Sequence, residues 1–226
     1  RTIMHIEPGI VDAAKIGLSY ATAAAAGATG LWFVRETLRE RGLPSLLARA
    51  AAATVGTFVF FEVLPTFSVG VSEVHFILGS TLFLILGAGP AAIGLVLGLL
   101  LQGLFFAPDD LPQFAMNVTT LLVPLYALTA LARRIIAPGT AYVDLRYGQV
   151  LALSATYQAG VVAWVAFWAF YGMGAEALAP TATFALAYML VIVLEPLVDL
   201  AVLALAKALR DKTPAGLVTP RLHTPA

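Results

Sequence analysis

Long apolar runs recur along the whole chain, and they constrain its fold more than any other feature of the sequence. A hydrocarbon core of about 30 Å needs about 20 helical residues to cross it. Of the 226 residues, 60% are hydrophobic and only 12% are charged, whereas a soluble domain has about a quarter charged residues. These proportions exclude a soluble globular domain, and we predict an all-α integral membrane protein.

The apolar runs predict a bundle of about seven transmembrane helices. The run 74–106 would be about 50 Å long as one helix, so we divide it at Gly87-Ala88-Gly89-Pro90, a turn pattern whose proline suits a helix start. The predicted spans are about 10–34, 46–66, 74–87, 90–107, 114–132, 149–171 and 181–206. We therefore predict a single transmembrane bundle over residues 1–209 and a flexible cytoplasmic tail over 210–226.

The distribution of charge predicts the orientation of the bundle, because Lys and Arg collect in short cytoplasmic loops. All but two of the 13 basic residues follow the first, fifth and last spans: Arg35, Arg39, Arg41, Arg49, Arg133, Arg134, Arg146, Lys207, Arg210, Lys212 and Arg221. The opposite loops carry Glu73, Asp109, Asp110 and Glu176, with no lysine or arginine. An odd number of spans, with the N-terminus outside and the C-terminus in the cytoplasm, satisfies this pattern.

The chain lacks the residues of several common kinds of chemistry. It has no cysteine, which excludes disulfides, thiolate metal sites and a cysteine nucleophile. It has no Walker motif for ATP, no HExxH and no nucleophile elbow. Basic and acidic residues number 13 each, so there is no positive field for nucleic acid. An enzyme is therefore the least expected class, and any active transport would need a partner that supplies energy.

Small residues mark two places where helices can approach closely. Residues 21–30 are all Ala, Gly or Thr, and they include Ala21, Ala25 and Ala28, while Gly94 and Gly98 form a second pair. Such residues allow close contact between helices inside a membrane. Packing within the bundle is the favoured interpretation, and a docking face for another membrane subunit is the alternative. The alanine-rich segment is the better candidate for docking.

Ionisable and amide side chains at membrane depth are costly and therefore informative. Asp12 and Lys15 lie one helical turn apart, and we expect them to form a structural ion pair. Glu195 and Asp199 share a helix face, where contact with a cytoplasmic-side partner or an internal arginine is favoured over ion translocation. The neutral groups at this depth are Gln102, Asn117 and Gln158.

Two of the three histidines lie on the same predicted outer side of the membrane. His5 precedes the first span and His75 opens the third, whereas His223 lies in the tail. Each alone is more commonly a surface or capping residue, and two histidines make only a weak metal site. A complete site needs further ligands, which the carboxylates of Glu7 and Glu73 or backbone nitrogen could supply.

Two segments contain motifs of a known transporter family. They are Met4-His5-Ile6-Glu7-Pro8-Gly9 and a central region with Ser72-Glu73-Val74-His75, Gly89-Pro90, Leu99-Leu100-Leu101-Gln102, Phe105-Phe106 and Met116-Asn117. Together they resemble the membrane S components of cobalt and nickel energy-coupling-factor transporters, the CbiM/NikM family. The motifs cover about residues 4–135, and beyond them the resemblance depends on topology. The loop 107–112, with Asp109 and Asp110, replaces the glycine-rich loop of the family.

The resemblance implies a metal site made of nitrogen atoms. Its ligands would be the amine of Met4, the backbone nitrogen and imidazole of His5, and the imidazole of His75. A planar all-nitrogen site suits Ni(II) or Cu(II), with Co(II) bound more weakly, and it disfavours Zn(II) and Mg(II). Second-shell or entrance roles are expected for Glu7, Glu73, Gln102, Asp109, Asp110 and Asn117. Arg1-Thr2-Ile3 precede Met4 in the sequence, so the Met4 nitrogen is a free amine only in a chain that begins at Met4.

The resemblance also implies partners and a location. An S component captures Ni(II) or Co(II) as its substrate and docks onto a membrane coupling subunit with two ATPase subunits, in the cytoplasmic (inner) membrane of a bacterium. No organic cofactor is expected. One alternative is an S component for an organic solute such as a vitamin, in which Trp164, Trp168 and Tyr157 line a cavity and the histidines are dispensable. Another is a non-transporting scaffold or assembly factor.

Overall fold

The computed structural model describes residues 6, 9–12 and 14–209 of the chain. Most of these residues are helical, as predicted. The α-helices are α1 Gly17–Glu62, α2 Gly79–Leu86, α3 Ala88–Phe105, α4 Phe114–Ile135, α5 Tyr147–Met173 and α6 Leu178–Ala208. Short 3-10 helices cover Pro108–Gln113, Tyr142–Asp144 and Gly174–Ala177. Four helical stretches are long and apolar enough to cross a membrane: Gly17–Glu62, Ala88–Phe105, Pro108–Ile135 and Tyr147–Ala208.

Most of the first two predicted spans, 10–34 and 46–66, lies within α1, which begins at Gly17 and ends at Glu62. The helix is interrupted at Gly42, where φ is 73° and ψ is 176°, a conformation that glycine adopts without the steric cost of a Cβ. Pro44 follows and has no backbone N–H to donate. The break therefore falls among the arginines that separate the two predicted spans.

The short helix predicted over 74–87 is confirmed for part of its length. Only α2 is helical there, and its eight residues would cover about 12 Å. An antiparallel hairpin of β1 Phe67–Val69 and β2 Ser72–Val74 precedes it. The hairpin departs from the all-α prediction, and its cross-strand bonds satisfy backbone groups that a helix would otherwise have satisfied internally. The predicted break after α2 is confirmed at Gly87, where φ is 91°.

Close packing of α1 against α3 accounts for the second pair of small residues. A Cβ added at Gly94 would overlap Ala53, and one added at Gly98 would lie 2.6 Å from the Cβ of Thr57. Both glycines are therefore needed for the backbones of α1 and α3 to approach. For this pair, the interpretation as internal packing is confirmed.

The predicted cytoplasmic loops contact one another at one end of the bundle. Arg133 forms an ion pair of 2.9 Å with Glu36, and its guanidinium lies 4.6 Å from the ring centroid of Trp32. Lys207 Nζ donates a hydrogen bond of 2.7 Å to the Val143 carbonyl. The α1, α4 and α6 segments that carry basic residues therefore share one end.

Arg49 does not lie in an exposed loop as its position among the basic residues suggested. It is 2% exposed, and its Nη1 donates a hydrogen bond of 2.8 Å to the carbonyl of Leu86, the last residue of α2. A cation at this position interacts favourably with the partial negative charge of the helix C-terminus. Arg49 therefore connects the second half of α1 to α2.

The expected ion pair between Asp12 and Lys15 is also wrong. Asp12 Oδ1 accepts a hydrogen bond of 2.9 Å from the backbone N–H of Lys15, while Lys15 Nζ donates to the carbonyl of Gly172 at 2.9 Å. The ammonium also lies 5.9 Å from the ring centroid of Tyr171. Lys15 thus attaches the start of the chain to the end of α5, because α1 begins only at Gly17 and leaves both residues outside a regular helix.

Candidate functional site

His75 occupies the loop between β2 and α2, outside the helices that are long enough to span. It is 4% exposed, and its ring makes an edge contact with Phe61, with centroids 5.0 Å apart. Burial lowers the pKa of His75 to about 4, although its backbone hydrogen bond with Phe76 acts in the opposite direction. The imidazole is therefore neutral near pH 7, which is the form that binds a metal ion.

The hydrogen bond of His75 defines which ring nitrogen carries the proton. Nδ1 lies 3.0 Å from the carbonyl oxygen of Phe76. Because a carbonyl oxygen only accepts, Nδ1 is the donor and carries the hydrogen. The lone pair of the ring is then on Nε2. A backbone carbonyl in this role is the usual support of a metal-binding histidine.

Glu195 of α6 holds the loop that follows His75. Its Oε1 accepts hydrogen bonds from the backbone N–H groups of Ile77 and Leu78, at 2.5 and 3.0 Å, and its Oε2 accepts one from Gln158 Nε2. Successive N–H groups that converge on one oxygen are the arrangement of a backbone anion nest. Among the described residues, Leu78 is the one non-glycine residue with positive φ, at 52°, and these hydrogen bonds compensate part of the strain of that conformation.

Asp199 makes a second set of contacts, one helical turn farther along α6. Its two oxygens accept hydrogen bonds from Ser80 Oγ at 2.6 Å and Thr81 Oγ1 at 2.5 Å. The preferred prediction for Glu195 and Asp199, a cytoplasmic-side partner or an internal arginine, is therefore wrong. Both carboxylates are buried: Glu195 binds the segment that connects His75 to α2, and Asp199 binds the first turn of α2.

Ile6 lies beside β2, the strand that ends one residue before His75. It forms an antiparallel bridge with Ser72, and its backbone N–H donates a hydrogen bond of 3.2 Å to Asn117 Oδ1. The Ile6 side chain is 1% exposed and packs in an apolar cluster with Val11, Met116 and Trp168. The described residue nearest to the histidine of the Met-His-Ile motif is thus anchored inside the bundle.

The remaining site residues predicted from the sequence have different environments. Glu73 is buried in β2, Gln102 is buried in α3, Asp110 is buried and Asp109 is exposed. Asn117 accepts a hydrogen bond from Ile6, the residue that follows His5 in sequence. Met4, His5 and Glu7 lie outside the described residues.

Within the described part of the chain, no three His, Asp or Glu side chains are grouped so that they could hold a metal ion. The imidazole of His75 supplies one nitrogen donor, and a complete site needs ligands from elsewhere. Because Ile6 pairs with Ser72 of β2, the residues that precede Ile6 in sequence are the candidates for these further ligands. The loop contacts of Glu195 were missed by sequence analysis, because spacing along α6 carries no information about a partner 118 residues away.

The aromatic residues that an organic-solute site would use are packed into the bundle. Tyr157 and Trp168 are fully buried. Trp164 and Trp168 both donate to Thr119 Oγ1, at 3.0 and 3.3 Å, and Tyr157 lies against Gly79 so closely that a Cβ there would overlap its ring. These side chains fill space between α2, α4 and α5.

The candidate docking residues Ala21, Ala25 and Ala28 are exposed on α1. The opposite side of the same segment packs inward, since Tyr126 donates a hydrogen bond of 2.7 Å to the Ala26 carbonyl. The hydroxyl of Tyr126 would lie 2.9 Å from a Cβ added at Gly30. The alanine-rich segment therefore has one face inside the bundle and another outside it.

Comparison with known protein families identifies the chain. Residues 5–213 match the family described as CbiM, the cobalt uptake substrate-specific transmembrane region. The chain belongs to the CbiM family. This membership, together with the long apolar helices, establishes a multi-pass integral membrane protein. The description of the CbiM family is that of a transport family.

A solved structure shares the fold of this CbiM-family chain. It is described as the crystal structure of a truncated transition metal transporter, with a TM-score of 0.64 and 15% sequence identity. The alignment covers 92% of this chain and 99% of the other. No curated protein matches the sequence.

Proposed function

We propose that this chain is the substrate-binding membrane subunit of an energy-coupling-factor importer for a divalent transition metal, nickel or cobalt. Its work is to bind the ion on the outer side of the membrane and to release it inward. The observation that carries the proposal is the position of Ile6, the last residue of the Met-His-Ile motif, which pairs with Ser72 of β2, three residues before His75. Membership of the CbiM family supports the same substrate class.

The position of the bridge supports a site shared by the N-terminal segment and the loop. Ile6 pairs with Ser72 in the antiparallel sense, and β2 ends two residues later at Val74. His75 follows that end directly. Because neighbouring Cα atoms are about 3.8 Å apart, His5 is separated from the anchored Ile6 by a single peptide unit.

The chemistry of this ligand set favours nickel over harder cations. An amine at Met4, the backbone nitrogen and imidazole of His5, and Nε2 of His75 would give four nitrogen donors. Planar nitrogen ligation suits Ni(II) and, with lower affinity, Co(II). The carboxylate of Glu73 lies two residues before His75 and would add negative charge beside the ion.

We further propose that the N-terminus lies outside and the C-terminus in the cytoplasm, which follows the arrangement of basic loops. Energy would come from two ATPase subunits through a membrane coupling subunit, docked on the face with Ala21, Ala25 and Ala28. Release needs only a change in access to the site when that partner binds, without covalent chemistry.

Metal content by mass spectrometry tests the proposal. Purified chain that begins at Met4 would be loaded from an equal mixture of Ni(II), Co(II) and Zn(II), beside the chain with residues 1–3 retained. We expect about one Ni or Co per chain in the shorter form and a large loss in the longer form, because an amide nitrogen replaces the amine. His75→Ala should lose the metal, whereas His223→Ala serves as the matched control and should retain it.

The outcomes separate the alternatives. Equal metal in both lengths would keep metal transport and move the ligands to His75 and the carboxylates near it. An unchanged metal content in His75→Ala would show that the loop with His75 is not part of the metal site. No metal in any form would contradict the proposal and favour an organic solute or a scaffold role.

A further inference from the structure

A single peptide group lies between His75 and Glu195. His75 Nδ1 donates to the Phe76 carbonyl at 3.0 Å, and the Ile77 N–H donates to Glu195 Oε1 at 2.5 Å. The carbonyl of Phe76 and the N–H of Ile77 belong to the same planar peptide unit. We propose that Glu195 is a positioning residue for metal binding, which acts on His75 through this peptide group. The inference rests on the proposed function.

The proposal has an electrostatic basis. Hydrogen bonds in a chain polarise one another, so a carboxylate that accepts from the Ile77 N–H makes the Phe76 carbonyl a stronger acceptor. A stronger acceptor holds the proton of His75 on Nδ1 and keeps the lone pair on Nε2. It also raises the basicity of Nε2, as a carboxylate in direct contact does for many metal-binding histidines.

The proposal also has a geometric basis, because Glu195 is itself held in place. It is 0% exposed, and its Oε2 accepts from Gln158 Nε2. Tyr188 donates a hydrogen bond of 2.9 Å to Gln158 Oε1. The network joins α5 and α6 to the loop, so the imidazole of His75 is oriented by groups that lie far from it in sequence.

Asp199 provides a matched control for the role of Glu195. It lies on the same helix, is similarly buried at 1% exposed, and binds the first turn of α2, which directly follows the loop that Glu195 binds. Its partners are the hydroxyls of Ser80 and Thr81, which do not belong to the peptide unit next to His75. Loss of either carboxylate should lower stability, but only loss of Glu195 should alter the imidazole.

The test combines metal affinity with a spectroscopic measurement on the chain that begins at Met4. Ni(II) affinity would be measured by calorimetry and thermal unfolding of the metal-free protein by circular dichroism. We expect Glu195→Leu to weaken Ni(II) binding about 10- to 100-fold, the range for second-shell partners of metal ligands. Glu195→Gln keeps a neutral acceptor and should have an intermediate affinity. Asp199→Leu should lose comparable thermal stability with little change in affinity.

Nitrogen-15 NMR of histidine-labelled, metal-free protein gives a readout that a purely structural role would not change. Comparison with His75→Ala assigns the His75 resonances. We expect the Nδ1–H tautomer in the wild type and a mixture of tautomers in Glu195→Leu. Unchanged affinity and an unchanged tautomer in Glu195→Leu would overturn the inference. It would also be overturned if Glu195→Leu and Asp199→Leu both lost affinity in proportion to their loss of thermal stability.

Two controls keep the result interpretable. If Glu195→Leu does not fold, Glu195→Gln decides: a lower affinity at unchanged thermal stability supports the inference, and an unchanged affinity overturns it. If the wild type binds Ni(II), His75→Ala does not, and Glu195→Leu equals the wild type, only this inference fails. A wild type that binds no metal overturns the proposed function and this inference together.

Discussion

The backbone N–H of Ile6 donates a hydrogen bond of 3.2 Å to Asn117 Oδ1, and both residues are buried. The contact joins the N-terminal segment to the first turn region of α4, 111 residues away in sequence. In the described part of the chain, Asn117 Nδ2 is buried without a hydrogen-bond partner. The carbonyl oxygen of this amide is therefore the atom that anchors the segment next to the Met-His-Ile motif.

We predict that Asn117→Ala weakens metal binding. The substitution leaves the buried N–H of Ile6 without its acceptor, a cost of about 1–3 kcal/mol, and about 1.4 kcal/mol corresponds to a tenfold change in affinity. Ni(II) affinity should fall about tenfold by calorimetry. Gln113→Ala is the matched control, because Gln113 is also a buried amide that precedes α4; an equal loss there would contradict the prediction.

Gly94→Ala and Gly148→Ala should have opposite effects on stability. The new Cβ at position 94 would overlap Ala53, and overpacking costs about 1–3 kcal/mol. At position 148 nothing lies within 4 Å of the new Cβ, so alanine should stabilise α5 by about 0.5–1 kcal/mol. Thermal unfolding in detergent checks the signs, and a rise in midpoint for Gly94→Ala would contradict the packing of α1 on α3.

Arg49→Met should destabilise the bundle but have little effect at the end of the bundle where the basic segments of α1, α4 and α6 lie. It removes the hydrogen bond to the Leu86 carbonyl, and leaving that buried acceptor unpaired costs about 1–3 kcal/mol. Arg49→Lys keeps a cationic N–H donor and should recover part of the loss. Denaturant unfolding measures the difference. The exposed residue Arg41 is the control, and Arg41→Met should change stability by less than about 0.5 kcal/mol.

The features that the sequence predicts correctly depend on local chemistry. The turn at Gly87 was placed from a Gly-Pro pattern, and the backbone there has the positive φ that glycine permits. Helical content follows from apolar runs, since only internally bonded backbone is stable in lipid. The close packing at Gly94 and Gly98 follows from the absence of side chains.

The features that sequence analysis misses depend on contacts between distant segments. Hydropathy predicts a span over 74–87, because the loop and α2 are as apolar as a transmembrane helix. In the structure, β2 and most of α2 are buried within the protein. Spacing alone paired Asp12 with Lys15, although Lys15 has a carbonyl of α5 within reach. Glu195 and Asp199 were correctly placed on one face, but their partners could not be read from α6 itself.

A substitution on the exposed face of α1 should distinguish metal binding from metal transport. Ala28 is exposed on α1, and under the proposed function this face docks the coupling subunit. A larger side chain on a close helix interface prevents the backbones from approaching. We therefore expect Ala28→Leu to leave Ni(II) affinity and thermal unfolding of the isolated subunit unchanged while it strongly lowers metal uptake by cells that contain the full importer.

Ala182→Leu on α6 is the matched control, because Ala182 is also exposed and lies on another helix. Uptake of radioactive nickel should be close to normal in that variant, since an exposed leucine is tolerated against lipid. Equal losses of uptake in both variants would show that α1 is not a special docking face. Normal uptake in Ala28→Leu would move the contact with the partner to another surface, and loss of Ni(II) affinity in the isolated variant would show that this face communicates with the site directly.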